Sequence, residues 1–199
     1  MNRSAILFAL LVVSAPTLAS QYDKVNGSID VGTDQKVGEV STVNGSITIG
    51  DGASVTTAGT VNGRITLGTH ARATKLDTVN GQLVLGSGAD VSGRISNVNG
   101  DVHLDAAHVG GGIDTVNGDI DIGANSRVEG GIHMRKASGG WFTWAGKPKP
   151  PRIVIGSGAV VQGTLKFDRE VKLYVSDRAT IGPVVGATAA RFSGDNPPH

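Results

Sequence analysis

The chain has 199 residues, of which 39% are hydrophobic and 18% charged, and its formal net charge at pH 7 is +1. This balance excludes general disorder, because disordered chains combine few apolar residues with a high net charge. The sequence contains no cysteine, so it forms neither disulfides nor thiolate metal sites and offers no cysteine nucleophile. Its 30 glycines lack a period of three, which excludes collagen.

The first residues have the pattern of a secretory signal peptide. Arg3 supplies a positive charge, and residues 5–15 form an apolar stretch that is too short to span a membrane. Thr17 and Ala19 are the small residues that a signal-peptide cleavage site requires. We therefore predict a cleavable signal peptide over residues 1–19, a periplasmic or secreted location, and no membrane span after cleavage.

An internal repeat follows the signal peptide. The tripeptide Val-Asn-Gly recurs at intervals of 18, 18, 18, 19 and 18 residues, and its copies begin at Val25, Val43, Val61, Val79, Val98 and Val116. Repeats of a fixed short period bury their apolar faces on their neighbours. Eighteen residues are too few for a pair of helices, and a repeat of Val, Ile, Thr and Gly favours strands. The sequence therefore predicts an all-β, single-stranded, three-faced β-solenoid with about 18 residues per rung.

Each rung is predicted to hold three short strands. The first alternates, as in residues 46–49, which directs Ile47 and Ile49 inward. The second carries small residues and a valine, and the third ends in Thr-Val. Apolar residues also recur at every sixth position from Val25 to Val91, which resembles the left-handed hexapeptide β-helix of acyltransferases. We favour a right-handed coil, because the Asn-Gly corner occurs once per rung.

The asparagine of each copy occupies the same corner. Asparagine tolerates the left-handed backbone of a sharp corner, and stacked amides can hydrogen-bond along the axis. We predict a structural ladder of Asn26, Asn44, Asn62, Asn80, Asn99 and Asn117. A second ladder is predicted for Thr42, Thr60, Thr78 and Thr115.

The repeat also divides the mature chain into segments. Residues 20–134 hold the six Val-Asn-Gly rungs, and residues 135–151 form a basic loop rich in Trp, Gly and Pro. Strand patterns resume over residues 152–192 as further rungs and a cap, and residues 193–199 are predicted to be a disordered tail. We count roughly eight rungs, which stack to a rod about 40 Å long at the usual strand spacing.

The loop contains the candidate ligand-binding residues Trp141, Phe142, Trp144, Lys147 and Lys149. In a binding loop, these side chains would stack on sugar rings or hold an anionic glycan. In a structural loop, the aromatic side chains would instead cover an open rung, because terminal strands need protection from edge pairing.

Four side chains form a candidate metal site. Asp101 and Asp119 share one position in successive rungs, and His103 and Asp121 share another. All four are predicted to face outward, and calcium prefers such oxygen ligands. If these residues bind a cofactor, we expect it to be calcium. No calcium-loop motif accompanies them, so the alternative is an acidic face exposed to solvent.

The charges are distributed unevenly along the chain. Residues 20–129 contain 7 Lys or Arg and 13 Asp or Glu, whereas residues 130–199 contain 10 Lys or Arg and 4 Asp or Glu. The two ends of a solenoid would therefore carry opposite charge, which favours self-association or attachment to an anionic polymer. The neutral total and the export signal argue against nucleic-acid binding.

Two families have similar repeats. The segment IGSGAVVQGTLKF, residues 155–167, resembles the repeat of bactofilins, which are bacterial polymer-forming β-helix proteins. The VNG-x-I-x-I-G units resemble the glycine-rich β-strand repeats of secreted bacterial adhesin-like proteins of unknown function. Over residues 25–185 the resemblance implies a non-enzymatic, self-associating envelope protein. Bactofilins are cytoplasmic and lack signal peptides, and this chain departs from them there.

Three functional hypotheses follow. The first is an exported structural β-solenoid without enzymatic activity, which self-associates through the ends of the rod. The second is a module that binds cell-wall or extracellular polysaccharide through the Trp loop. The third is a cation-assisted, polysaccharide-active enzyme that uses Asp101, Asp119 and Asp121.

Overall fold

The computed structural model describes residues 21–136, 149–194 and 197. Within these residues the regular elements are all β-strands. No helix in the described ranges is long and apolar enough to cross a membrane. The predicted signal peptide and most of the basic loop lie outside the described residues.

The strands are short and follow one another along the whole described chain. The first are β1 (Tyr22–Asn26), β2 (Ile29–Val31), β3 (Lys36–Asn44), β4 (Ile47–Ile49), β5 (Ser54–Asn62), β6 (Ile65–Leu67), β7 (Arg72–Asn80) and β8 (Leu83–Leu85). Next come β9 (Asp90–Val91), β10 (Ile95–Asn99), β11 (Val102–Leu104), β12 (His108–Val109), β13 (Ile113–Thr115), β14 (Ile120–Ile122), β15 (Arg127–Val128) and β16 (Ile132–Met134). After the loop come β17 (Arg152–Ile155), β18 (Val160–Val161), β19 (Leu165–Phe167), β20 (Lys172–Ser176), β21 (Thr180–Ile181), β22 (Val184–Val185) and β23 (Ala189–Phe192).

The strands stack in parallel as a three-faced solenoid. The first face is a 9-stranded sheet in the order β2-β4-β6-β8-β11-β14-β17-β20-β23. The second and third faces form one 14-stranded sheet, because the long strands β3, β5 and β7 cross both. From β9 onward each face has its own short strands. The prediction of an all-β solenoid with about 18 residues per turn is confirmed, and the 9 strands of the first face add one turn to the eight that we counted.

Aliphatic side chains fill the narrow interior of each rung. Ile47 and Ile49 of the first face are fully buried, and Ala53 and Val55 of the second are at most 5% exposed. Burial of one aliphatic side chain stabilises a fold by about 1.5–3 kcal/mol. Stacked columns of such residues therefore hold the rungs together.

The sixfold apolar pattern does not match the core on the third face. Val43 and Val61 belong to that pattern but are exposed, whereas Thr42 and Thr60 before them are buried. Side chains alternate along a strand, so threonine faces inward and valine outward. One face of each rung thus departs from the hexapeptide pattern, and the right-handed coil stays a prediction.

The single 19-residue interval arises at the corner between the second and third faces. Ala73 pairs with Val91, but Leu76 pairs with Ile95. One extra residue therefore lies between Val91 and Ile95. The unbroken strand of the earlier rungs is replaced there by a turn over residues 92–94.

The stack of rungs continues across the point where the basic loop interrupts the repeat. The loop follows β16 in the sequence and precedes β17, and β17 pairs directly with β14. Ile120 lies opposite Ile153 in this pair. The loop therefore replaces one Asn-Gly corner while the rungs on either side stay in contact.

The N-terminal rung has a charged residue at an inward position. Lys24 pairs with Thr42, whose side chain is buried. The Lys24 ammonium donates a hydrogen bond to the carbonyl oxygen of Ser28 at 2.7 Å. An inward charge on an edge strand opposes the addition of another strand, so Lys24 caps this end of the rod.

The C-terminal rung is capped in the same way. Arg191 on β23 pairs with the buried Val175. Its guanidinium donates to the carbonyl oxygens of Ser176 at 3.0 Å and Ala179 at 3.3 Å. Both ends of the rod therefore place a cation where an interior rung has an uncharged, buried side chain.

Candidate functional site

The Asn-Gly corner joins the third face to the first and carries a continuous ladder of amides. The strands that end at this corner pair in register, so each asparagine lies beside the asparagine of the next rung. Each Nδ2 donates to Oδ1 of the preceding asparagine. The donors Asn44, Asn62, Asn80, Asn99 and Asn117 do so at 3.0, 3.0, 3.1, 3.0 and 2.9 Å.

The backbone of these asparagines is not left-handed, contrary to our expectation. Five of them end extended strands, and the left-handed non-glycine residues of the described chain are Asp34, His70, Ala106 and Asn125. Those four lie at the corner between the first and second faces. The ladder therefore depends on the amide side chain and not on the backbone preference of asparagine.

Except in the N-terminal rung, the glycine after each asparagine is required by the close approach of successive corners. A Cβ atom at Gly63 would lie 1.9 Å from the carbonyl oxygen of Gly45, and one at Gly81 would lie 1.7 Å from that of Gly63. In both cases the obstacle is backbone, which cannot rotate away. The corner therefore excludes every side chain at this position.

The threonines do not bond to one another as a second ladder in the described chain. Thr42 Oγ1 donates to the carbonyl oxygen of Gly27 at 3.2 Å, and Thr60 Oγ1 to that of Gly45 at 3.1 Å. Each of these inward hydroxyls instead ties its strand to the Asn-Gly corner of the preceding rung.

The amide ladder ends at an arginine. Arg169 donates to Asn117 Oδ1 and, at 3.1 Å, to the carbonyl oxygen of Val116. Arg169 follows β19, two corners beyond Asn117, and it reaches across the corner that the basic loop replaces. We did not predict this role, because nothing near Arg169 in the sequence indicates which corner it meets.

Asn62→Ala tests the ladder. Asn62 bonds to a neighbour on each side, so its loss should lower the free energy of unfolding by about 1 kcal/mol. Asn26→Ala is the matched control, because Asn26 makes one ladder bond at the end of the stack and should cost less. Urea unfolding followed by circular dichroism measures both. Equal stability of Asn62→Ala and the parent chain would show that the ladder contributes nothing.

A row of exposed valines runs beside the ladder. We call it the valine ridge; its members Val25, Val43, Val61, Val79 and Val98 are 68, 41, 39, 40 and 36% exposed. The ridge borders a groove of about 480 Å³ along the third face. Lys24 lines one end of this groove and Arg135 the other. Arg135 takes the ridge position in the rung where the basic loop leaves, because Met134 before it pairs with Thr115.

The acidic residues proposed as metal ligands tie successive rungs together. Asp101 Oδ1 accepts a hydrogen bond from the backbone N–H of Asp119 at 2.9 Å, and Asp119 Oδ1 accepts one from that of Arg152 at 2.7 Å. His103 Nδ1 lies 3.2 Å from Asp121 Oδ2. Among the residues that the structure describes, no group of three His, Asp or Glu side chains could hold a metal ion.

A second histidine lies between carboxylates of neighbouring rungs on the second face. His108 Nδ1 is 2.6 Å from Asp90 Oδ1, and His108 Nε2 is 3.5 Å from Glu129 Oε1. Arg127, together with His108, holds the pKa of the Glu129 carboxyl below its ordinary value. Such exposed pairs contribute little to stability.

On the third face, another histidine lies close to a carboxylate of a neighbouring rung. His133 Nε2 lies 2.7 Å from Asp168 Oδ2, and Lys166 Nζ lies 3.4 Å from Asp168 Oδ1. His133, with help from Lys166, lowers the pKa of the Asp168 carboxyl. His133 and Asp168 are 35 residues apart in the chain, and they meet because the rungs stack in register.

Most of the candidate ligand-binding residues lie outside the described residues, namely Trp141, Phe142, Trp144 and Lys147. Lys149 lies where the chain returns to β17, and it lines a second cavity of about 340 Å³.

The chain matches no protein-family model, no curated protein and no solved structure. The β-solenoid fold therefore rests on the repeat and on the strand register described above.

Proposed function

We propose that this protein is a non-enzymatic structural rod of the bacterial envelope that self-associates side by side through the valine ridge. The ridge is the observation that carries the proposal, because five valines at the rung spacing form one exposed apolar strip. Contiguous apolar surface of this kind marks interaction sites in soluble proteins. The predicted signal peptide supports the location, and the resemblance to bactofilin and adhesin repeats supports a self-associating role.

The capped ends favour a lateral contact over the end-to-end contact that we first expected. Lys24 and Arg191 take inward positions on the terminal strands. A second rod stacked on either end would bury these cations against its apolar interior, and burying an unpaired charge is costly. The valine ridge, by contrast, presents apolar side chains along one side of the rod.

A second copy of the chain fits the ridge in charge and in its repeated valines. Residues 21–99, which carry the ridge, contain 6 Lys or Arg and 7 Asp or Glu. Two such surfaces therefore approach without strong repulsion, whereas the acidic excess lies in residues 100–129. A row of identical side chains at a regular spacing can also meet its own copy, as a two-fold symmetric interface requires.

Sedimentation velocity over a range of concentrations tests the proposal. We expect a reversible dimer or higher oligomer in the parent chain and a shift to monomer in the Val61→Lys/Val79→Lys variant. Removing one buried valine costs about 1.5 kcal/mol, so the double change should raise the dissociation constant by at least about tenfold.

Thr48→Lys/Thr56→Lys is the matched control, since it adds the same charge at exposed positions away from the ridge. The control should associate like the parent. Association should persist at high salt, because apolar contacts are not screened. A parent chain that stays monomeric at every concentration would contradict the proposal, as would equal dissociation of both variants.

A further inference from the structure

The second cavity lies where the basic loop interrupts the Asn-Gly corner. Its volume is about 340 Å³, which falls in the range of small-molecule sites. Four cationic side chains line it, namely Lys149, Arg152, Arg169 and Lys172. They come from two separate segments of the chain, residues 149–152 and 169–172, which meet because the rungs stack.

Three of these cations have no carboxylate partner within residues 21–136, 149–194 and 197. No ion pair joins Lys149, Arg169 or Lys172 to an acidic side chain of the described residues. Arg169 is held instead by neutral oxygens of Asn117 and Val116. Its guanidinium is therefore fixed in place while its charge remains uncompensated, which is the arrangement that suits an incoming anion.

Carboxylates in the cavity reduce this positive charge only in part. Asp101 and Asp119 also line it, so four cations face two anions. One oxygen of each carboxylate already accepts a backbone N–H, from Asp119 and Arg152 respectively. The lining keeps a net positive charge.

An aromatic ring and two prolines complete the cavity. Tyr174 lies on β20, and the Arg152 guanidinium lies 5.4 Å from the centre of its ring. Pro150 and Pro151 line the same cavity. Sugar rings bind on flat apolar surfaces such as these, with polar or charged groups at the edge to fix their orientation.

We propose that this cavity binds the anionic group of an acidic polysaccharide, either a uronate carboxylate or a sulfate ester. Arg169, Lys149 and Lys172 contact the anionic group, and Tyr174 with the prolines contacts the sugar ring. The inference does not rest on self-association, because the groove beside the valine ridge and this cavity share no lining residue.

Isothermal titration of the purified protein with three oligosaccharides tests the inference. Hexagalacturonate supplies carboxylates, a kappa-carrageenan hexasaccharide supplies sulfate esters without carboxylates, and cellohexaose is the neutral control. We expect one or both acidic sugars to bind, with affinity that falls as salt rises, and cellohexaose not to bind. The acidic sugar that binds identifies the source of the anionic group.

A matched pair of variants locates the site. Lys149→Gln/Lys172→Gln should weaken binding at least about tenfold, since two charged hydrogen bonds are lost. Lys36→Gln/Arg64→Gln removes the same charge from exposed positions outside the cavity and should leave affinity within about twofold of the parent. The inference is overturned if neither acidic sugar binds at low salt, or if the two variant pairs lose affinity equally.

Discussion

Replacing Gly63 by alanine is expected to destabilise the solenoid by about 3 kcal/mol or more, at the upper end of the range for overpacked sites. The new Cβ atom would lie 1.9 Å from the carbonyl oxygen of Gly45. That backbone is held by hydrogen bonds from Gly45 N to Asn62 O and from Gly63 N to Asn80 O, both 3.1 Å long. The clash is therefore relieved only by separating two rungs. Urea unfolding followed by circular dichroism measures the loss.

Gly59→Ala is the control for this substitution. Gly59 lies on β5, and the nearest atom to an added Cβ would be the carbonyl oxygen of Asp77 at 3.9 Å. Alanine there should leave stability unchanged or raise it by about 0.5 kcal/mol, because the unfolded chain loses freedom. If Gly63→Ala and Gly59→Ala were equally stable, the Asn-Gly corners would not approach as closely as the structure shows.

Replacing both end cations, in a Lys24→Val/Arg191→Val variant, is expected to convert the protein into end-to-end fibres. The change leaves apolar inward side chains on the terminal strands β1 and β23, whose outer edges have no partner strand in the described chain. Unprotected strand edges pair with other chains, and a head-to-tail contact between rods does not close. Electron microscopy and light scattering measure the outcome as single-rod-wide filaments that lengthen with concentration.

Lys36→Val/Arg178→Val is the control for the caps. It removes the same charge and adds the same apolar surface, but at exposed positions that do not point into the interior. This variant should form no fibres. Fibres in both variants would assign the effect to lost charge alone, and an unchanged Lys24→Val/Arg191→Val variant would show that the two cations do not cap the rod.

Much of the fold could be predicted from the sequence, because the same local pattern occurs six times along the chain. Alternation within residues 46–49 places Ile47 and Ile49 inward, and both are fully buried. The small residue Ala53 likewise fits the tight interior of the second face. These features depend on strand geometry within one rung, so no knowledge of neighbouring rungs was needed.

The third face was harder to predict from local pattern. Val61 continues a sixfold apolar series, but Thr60 faces the core and Val61 faces solvent. Both orientations satisfy strand alternation, and a shift of one residue exchanges them. Stacking of the Asn-Gly corners selects the orientation, and the valine ridge is its consequence.

The sequence by itself determined the period, the three-strand rung and the position of the corners, since these repeat locally. Outside the asparagine ladder, only the tertiary structure decided which residues meet between rungs. Arg169 reaches Asn117 because the basic loop removes one corner and leaves the rungs in contact. The capping positions of Lys24 and Arg191 likewise follow from the strands that they pair with. Pairing between rungs joins residues that are distant in the chain, and outside the six Val-Asn-Gly copies no sequence pattern records that register.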